Sequence, residues 1–493
     1  MSIELTVTSA RRDTGLMLTW LGGLILLVFL WALLISRQAN LLCAVVITIP
    51  LVSLAFRKPE TAIVWTLVYV ILLGDLRRVV AEVGTAPAFD PLLLILPAVT
   101  FILAVPLLLR LRLNEPLSKS VLALLFIMAV QVFNPIQGGI GVGLSGVFFY
   151  VVPILWFFIG REYGTPELIE RIIYKVVLPL GVCAALLGLS QTFIGFLPYQ
   201  QDWIDQVGKV YTSLFIGSSV RPFGFSVSAA EYATLLELSV ALAVAAYFSS
   251  RRLWIGAVPI LFAALVLSGG RGLTIKLVMA LSVLWVAKRE QRFSSLKLAG
   301  MAALGGTALL ALSLVAGIFA APAESSSHSK SAAGDALAHQ LGGLAHPLDD
   351  RYSSAGLHSN MVATGFLTGF TNPLGRGLGA TTFAAQKLGT DSVSGSSELD
   401  FSDMFIALGL VGGVVYIAVV GFGLRAAFQY IRRVRRSAAI PVLALLVATL
   451  GGWLIEGQYS TCALVFFILG SVVHRRQDER LAADRLRLAR TTF

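Results

Sequence analysis

Charge is scarce in this chain. Asp, Glu, Lys and Arg make up 13% of its 493 residues, roughly half of what a soluble domain carries, and a soluble globular protein is thereby excluded. Cysteine is scarcer still. Cys43, Cys183 and Cys462 each fall inside an apolar run and show no CxxC spacing, which supports neither a disulfide framework nor a zinc site; they read as small packing residues. Catalytic fingerprints are missing as well: there is no GxSxG, Walker loop, Rossmann fingerprint or HExxH. Four histidines, His328, His339, His346 and His358, lie in one polar interval and His474 lies near the end, without a clustered carboxylate–histidine set, so no metal and no cofactor is expected.

What remains is apolar. Hydrophobic residues are 57% of the chain and the mean hydropathy is +0.82. A bilayer core needs about 20 apolar residues per helix, and windows of that size predict an all-α, polytopic membrane protein with about fourteen spans. They fall near 16–35, 40–56, 61–75, 91–109, 120–135, 144–160, 173–197, 228–248, 253–268, 272–287, 298–320, 403–424, 438–456 and 459–473. The first, behind Arg11 and Arg12, is too long for a signal-peptide core and reads as an uncleaved span. The organisation expected is a membrane domain over 1–320, a large polar loop over 321–402, and a membrane domain with a basic tail over 403–493. Within the loop, 321 to about 340 reads as disordered from its Ser/Ala-rich composition. From Asp350 to Gly369, the spacing of Leu357, Met361, Val362 and Phe366 predicts a short amphipathic helix on the membrane surface.

The net charge of +11 raises nucleic acid as a partner, but the basic residues form short clusters between apolar runs, which is how membrane proteins set their topology. No nucleic acid is expected. With the amino terminus in the cytoplasm, about 27 of the 38 Lys and Arg fall in cytoplasmic segments and about 10 fall outside, as the positive-inside rule requires. Both termini are then cytoplasmic, and the long loop faces out.

The outer basic residues run against that bias and become the candidates. Arg221 stands in RPFGFSVSAAEYA, Arg271 in SGGRG, and Arg351 at the start of the surface helix. A guanidinium presents a fork of donors that matches phosphate bidentately; the alternative is snorkelling to lipid headgroups. Arg376 lies in the Gly-rich bend NPLGRGLGA (372–380), a surface turn or a wall that a glycan could approach closely. Lys276 sits about one and a half turns inside its span, where a charge costs roughly 2.5 to 3.5 kcal/mol unless partnered. It either pairs with Glu231 or Glu237 or contacts a phosphate. Asp75 with Arg77 and Arg78 reads as a local pair. Glu398 and Asp400 stand where the loop re-enters the membrane. A carboxylate at a partly dry boundary suits a general base for a sugar hydroxyl, and an acid there also suits the positive end of a helix. His358, seven residues from Arg351, shares its helix face and is a further candidate.

Taken in order, these motifs resemble a family. Arg221 with FGF, then SGGRG, then a large outer loop with Arg351 ahead of NPLGRGLGA, then an acidic segment running into ALGLVGG, is similar to the O-antigen ligase and Wzy-type polysaccharide polymerase superfamily. LGLSQTFIGFLPYQ (187–200) adds to the likeness, which spans roughly 120 to 475. The resemblance implies metal-independent, inverting glycosyl transfer at the outer face of a bacterial inner membrane, with an undecaprenyl-pyrophosphate-linked glycan as donor. Arg221 and Arg271 would bind the pyrophosphate, and Arg351 would contact it or orient the acceptor. Ligases of this kind commonly carry a histidine before the re-entering helix. Here that position, eleven residues before Gly409, is Glu398, which favours a polymerase of repeat units. A ligase acting on lipid A core, and a flippase of lipid-linked oligosaccharide, are the other readings. Membrane lipid, and a chain-length regulator or flippase of the same pathway, are the expected partners.

Overall fold

Hydrocarbon offers the backbone no water, so an apolar run that crosses it must satisfy its own N–H and C=O groups, and a helix does so within one segment. The computed structural model follows this rule. It describes residues 38–83, 90–110, 115–207, 212–216, 219–249, 251–289, 332–345, 355–383, 385, 396–397, 399–434, 436–455 and 458–474. The helices are α1 (Ala39–Arg57), α2 (Pro59–Val83), α3 (Pro91–Leu108), α4 (Pro116–Gln131), α5 (Ile140–Tyr163), α6 (Pro166–Phe193), α7 (Pro198–Val207), α8 (Ala229–Phe248), α9 (Arg252–Leu267), α10 (Arg271–Arg289), α11 (Ala332–Ala345), α12 (Ala355–Thr371), α13 (Asp400–Ile431), α14 (Arg436–Ala448) and α15 (Tyr459–Ser471). One two-stranded hairpin, β1 (Phe215–Ile216) with β2 (Ser219–Val220), precedes α8.

Among the described residues six helices are long and apolar enough to cross a membrane: α1, α3, α5, α6, α8 and α13. Helices α4, α9 and α15 are shorter and apolar, as is Ser437–Ala448 of α14. The spans expected at 61–75 and 272–287 fall on α2 and α10; those at 16–35 and 298–320 lie outside the described residues. One expectation is corrected. The interval read as disordered to about 340 contains α11, because AAGDALAHQLGGLA is rich in the strongest helix former and has a face to pack, Ala336 and Gln340 being buried.

Polar contacts sort to the two ends of the bundle. At one end Glu170 binds Arg251 at 2.8 Å and Ser437 at 2.7 Å, while Arg161 meets Glu115 at 3.3 Å. At the other end α2 meets the loop before α8, α4 meets residues 374–378, and the start of α13 meets 451–453. The candidate residues described below belong to this second end.

Helix α8 runs through the middle, buried over nearly its whole length. Close approach around it depends on small residues, as in membrane bundles generally. A Cβ on Gly188 of α6 would stand 1.8 Å from Tyr232 Oη of α8, and one on Gly160 of α5 would stand 1.9 Å from the Phe467 carbonyl of α15. The Trp156 and Phe467 rings meet edge to face at 6.2 Å across the α5–α15 contact.

Helix α13 is not continuous. Gly409 has φ 70° and ψ −167°, a conformation that glycine alone adopts at no steric cost. The bend 372–380 threads into the break: Arg376 N and Gly377 N donate to the Ile406 and Ala407 carbonyls at 2.9 and 3.0 Å, and Leu410 N donates to Pro373 O at 3.1 Å. From the other side Asn134 Nδ2 donates to Gly375 O at 3.1 Å and Gln137 Oε1 accepts from Gly379 N at 3.1 Å. This is a built joint. The plain surface turn is the reading it replaces.

Candidate functional site

The α9–α10 turn organises the basic residues. Gly269, at φ 77°, reverses the chain so that Arg271 opens α10, with its backbone N–H on Gly269 O at 3.2 Å. Arg221 arrives from β2. Its Nε donates to the Ser268 carbonyl of the same turn at 3.0 Å, and its Nη1 donates to Ser213 O at 3.2 Å. Helix α11 lies over both. Gln340 Nε2 donates to Val266 O at 3.1 Å, Asp335 accepts from Ser219 Oγ, and a Cβ built on Gly343 would fall 1.3 Å from Arg271 Nη1. The guanidinium of Arg271 therefore rests on the bare backbone of Gly343. His339, half-buried on α11, feels both arginines. Burial first, then the charges of Arg271 and Arg221, push the His339 imidazole down to about 4, so it is uncharged near neutral pH.

That shift has a direct consequence for the docking of α11. The docked imidazole binds a proton only near pH 4, whereas an undocked one does so near its ordinary value of 6.5. Docking is therefore at full strength above about pH 6.5 and weakens as the pH falls toward 4. Hydrogen exchange of the 332–345 amides should accelerate over that window, and His339→Gln should remove the pH dependence.

Arg78 braces the loop that delivers Arg221. Its guanidinium, 3% exposed, lies 4.4 Å from the Trp203 ring centroid and 4.1 Å from that of Phe223, and its Nη2 donates to Ser226 O at 2.7 Å and Val227 O at 3.3 Å. The pairing read from the sequence is divided. Arg77 binds Asp90, while Asp75 stands 4.0 Å from Arg78 and accepts from Tyr199 Oη at 2.9 Å. Gln191 completes the brace by accepting from Phe223 N and Gly224 N at 3.0 and 2.9 Å.

The acidic candidates separate. Asp400 is fully buried; its Oδ2 accepts from Tyr416 Oη and Trp453 N, both at 2.6 Å. This geometry makes it an anchor of α13. Asp403, one turn on, accepts from Ser397 N at 2.6 Å and Ser396 Oγ at 2.6 Å. Glu398 and Arg351 lie outside the described residues. Lys276 pairs with Glu237 at 3.5 Å, the structural alternative of its two. Glu231 does otherwise: Ser228 Oγ accepts from Glu231 N at 3.1 Å while Glu231 Oε2 accepts from Val227 N at 3.0 Å, so the acid is spent on the start of its own helix much as in a capping box. Its Oε1 takes both Ser460 N and Ser460 Oγ, at 2.9 and 2.6 Å, joining α8 to α15.

Arg376 is half-buried at the α13 joint, its backbone fixed there. His358 lies half-buried near the start of α12. That helix packs on α13 through Gly365 and Gly369 against Ser402 and Phe405, while Leu357, of the apolar face expected to lie on the membrane surface, is 61% exposed. Among the described residues no group of His, Cys, Asp and Glu could hold a metal ion.

Fold and site together define a class: an all-α membrane protein with basic residues gathered under a short helix at one end of its bundle. No family model matches the sequence, and no curated protein matches it.

Proposed function

We propose that the protein is a polymerase of undecaprenyl-pyrophosphate-linked oligosaccharide repeat units, acting at the outer face of a bacterial inner membrane with both termini in the cytoplasm. The observation that carries this reading is the convergence of Arg221, Arg271 and His339 on one glycine turn, at the end of the bundle where charge bias opposes basic residues. A non-reducing-end hydroxyl of one lipid-linked unit attacks C1 of the sugar at the reducing end of a growing chain. The new C–O bond forms as the C1–O bond to the pyrophosphate breaks. The hydroxyl proton passes to Glu398, and undecaprenyl pyrophosphate leaves carrying the electron pair.

Charge develops on the leaving group, so fixed cations aimed at it lower the barrier. Arg221 and Arg271 supply them, the first held by the Ser268 and Ser213 carbonyls and the second lying against the backbone of Gly343. Arg376 and Arg351 are assigned to the glycan and the acceptor, with His358 beside them. Lys276 and Asp400 are assigned to holding the helices.

The test is the length and sidedness of lipid-linked saccharides in cells lacking the protein. Single repeat units exposed on the outer leaflet are expected. Long lipid-linked polymer would show a ligase instead, and single units held on the cytoplasmic leaflet would show a flippase; either result overturns the polymerase.

A further inference from the structure

Asp335, His339 and Gly343 occur at intervals of four on α11, so they form one stripe along a single helix face. The two ends of that stripe are fixed by contacts. Asp335 is held by Ser219 beside the hairpin, and Gly343 is covered by the guanidinium of Arg271. His339 must therefore lie between the hairpin and Arg271, over the turn to which Arg221 is bonded. Its neighbours supply little to balance a charge. Among the described residues, α9 carries no titratable group where it meets α11, the Leu178–Phe193 part of α6 that meets α11 carries only Cys183, and the hairpin carries none; the acids Glu167 and Glu170 of α6 lie toward the opposite end of the bundle, where Glu170 holds Arg251. Arg221, Arg271 and, further along α10, Lys276 are cationic. Asp335 is the single acid on the stripe, one turn away and engaged by Ser219.

We propose that His339 is the third member of the anion site made by Arg221 and Arg271, uncharged when no anion is present and protonated when a phosphate group enters. The inference rests on the pyrophosphate reading above and adds to it a ligand and a linked proton. The proton comes from solvent, and no bond other than N–H forms. An imidazole between two cations stays neutral; a phosphate dianion placed against the same three groups reverses the local potential and favours the imidazolium. The imidazolium then donates to a phosphate oxygen, a charge-assisted bond.

The sign follows. Above the ordinary histidine range the ligand must bring both the phosphate and the cost of charging His339, so binding is weakest there. As the pH falls, the proton taken up on binding becomes easier to obtain, and affinity rises by up to about tenfold per pH unit. The rise ends near pH 4, where His339 is protonated without ligand.

The experiment is calorimetric titration of the purified full-length protein in lipid nanodiscs with inorganic pyrophosphate, in buffers of different ionisation enthalpy, from about pH 8 to about pH 5.5. Wild type is compared with His339→Gln, so that protons exchanged by the pyrophosphate itself are common to both. The expected result is that the advantage of wild type over the variant is smallest near pH 8 and grows by about tenfold or more toward pH 5.5, where wild type takes up close to one additional proton. Equal affinities and equal proton uptake throughout would overturn the role of His339 and leave the arginine site standing. Weaker binding by the variant at every pH, without a difference in proton uptake, would show a packing role and overturn the proposal too. If wild type binds no pyrophosphate at any pH, the polymerase reading itself falls.

Discussion

Arg271→Ala should abolish detectable polymer in cells while the protein still reaches the membrane at close to its normal level. Removing one preorganised donor from developing oxyanion charge typically costs about 10²- to 10³-fold in rate, and polymer length, which depends on repeated transfers, amplifies that loss. Arg271 is a cleaner test than Arg221. Arg221 is tied to Ser268 and Ser213 carbonyls, so its removal also loosens the join between the hairpin and the α9–α10 turn. Arg271 opens a helix whose first turn is already set by Gly269 and Gly270, and its guanidinium lies against the backbone of Gly343. Truncating it takes away the charge together with the contact on the α11 backbone at Gly343, while the hairpin keeps its join to the α9–α10 turn. Arg271→Lys should retain a fraction of activity, because an ammonium keeps the charge and loses the fork. The measurement is the polymer ladder against membrane level by immunoblot; full-length polymer from an Arg271→Ala protein present at wild-type amounts would remove the pyrophosphate role.

Much of the bundle is legible from hydropathy, since within hydrocarbon an apolar run of sufficient length has no regular alternative to helix. The ion pair of Lys276 is legible for the same reason: a lysine inside a span demands a partner, and Glu231 and Glu237 are the acids within reach in the sequence. Choosing between them needed a local signal that the chain does contain. Ser228-Ala-Ala-Glu231 has the S-x-x-E spacing of a capping box, and an acid spent on its own helix terminus is unavailable to Lys276. Helix α11 shows the opposite failure. Composition read it as disorder, yet alanine is the best helix former, and what stabilises the segment is a face packed on α9, the hairpin and Arg271. Those contacts join residues more than sixty positions apart, so no window of sequence contains them.

The joint at Gly409 was out of reach in the same way. NPLGRGLGA and ALGLVGG each read as glycine-rich, but only the fold shows that Gly375 meets the Ala407 carbonyl and the Gly409 amide closely enough for a Cβ on it to fall 2.5 and 2.7 Å away. Arg78 is similar. Its sequence neighbours suggest a local pair with Asp75, which stands 4.0 Å away, but nothing in them shows that the guanidinium also lies against two touching rings delivered by residues 203 and 223. Cation–π contact leaves no spacing signature, because ring and cation come from separate elements.

Lys276→Ala is expected to lose most of the folded protein. Glu237 is buried to 1% of its side-chain surface, and neither of its carboxylate oxygens has a hydrogen-bond partner among the described residues. Its compensation is the Lys276 ammonium at 3.5 Å. Breaking a buried pair by removing one partner typically costs about 3–5 kcal/mol, because the other charge stays behind in low dielectric. The two partners are not equivalent. The Lys276 side chain keeps 29% of its surface exposed and is long enough to carry its charge outward, so Glu237→Gln should cost less than Lys276→Ala. The double variant Glu237→Leu with Lys276→Met should recover most of the stability, since apolar residues of similar volume commonly replace a buried pair without loss. Thermal unfolding of the four proteins in one detergent gives the order, and equal stability of Lys276→Ala and wild type would mean that Glu237 is not carried as a charge. Activity follows through geometry. Lys276 lies five residues beyond Arg271, about one and a half turns along α10, and its bond to α8 fixes the rotation of that helix. The double variant, stable but without the pair, separates the two effects: if it folds and polymer still shortens, the ion pair is what aims Arg271 at the turn shared with Arg221.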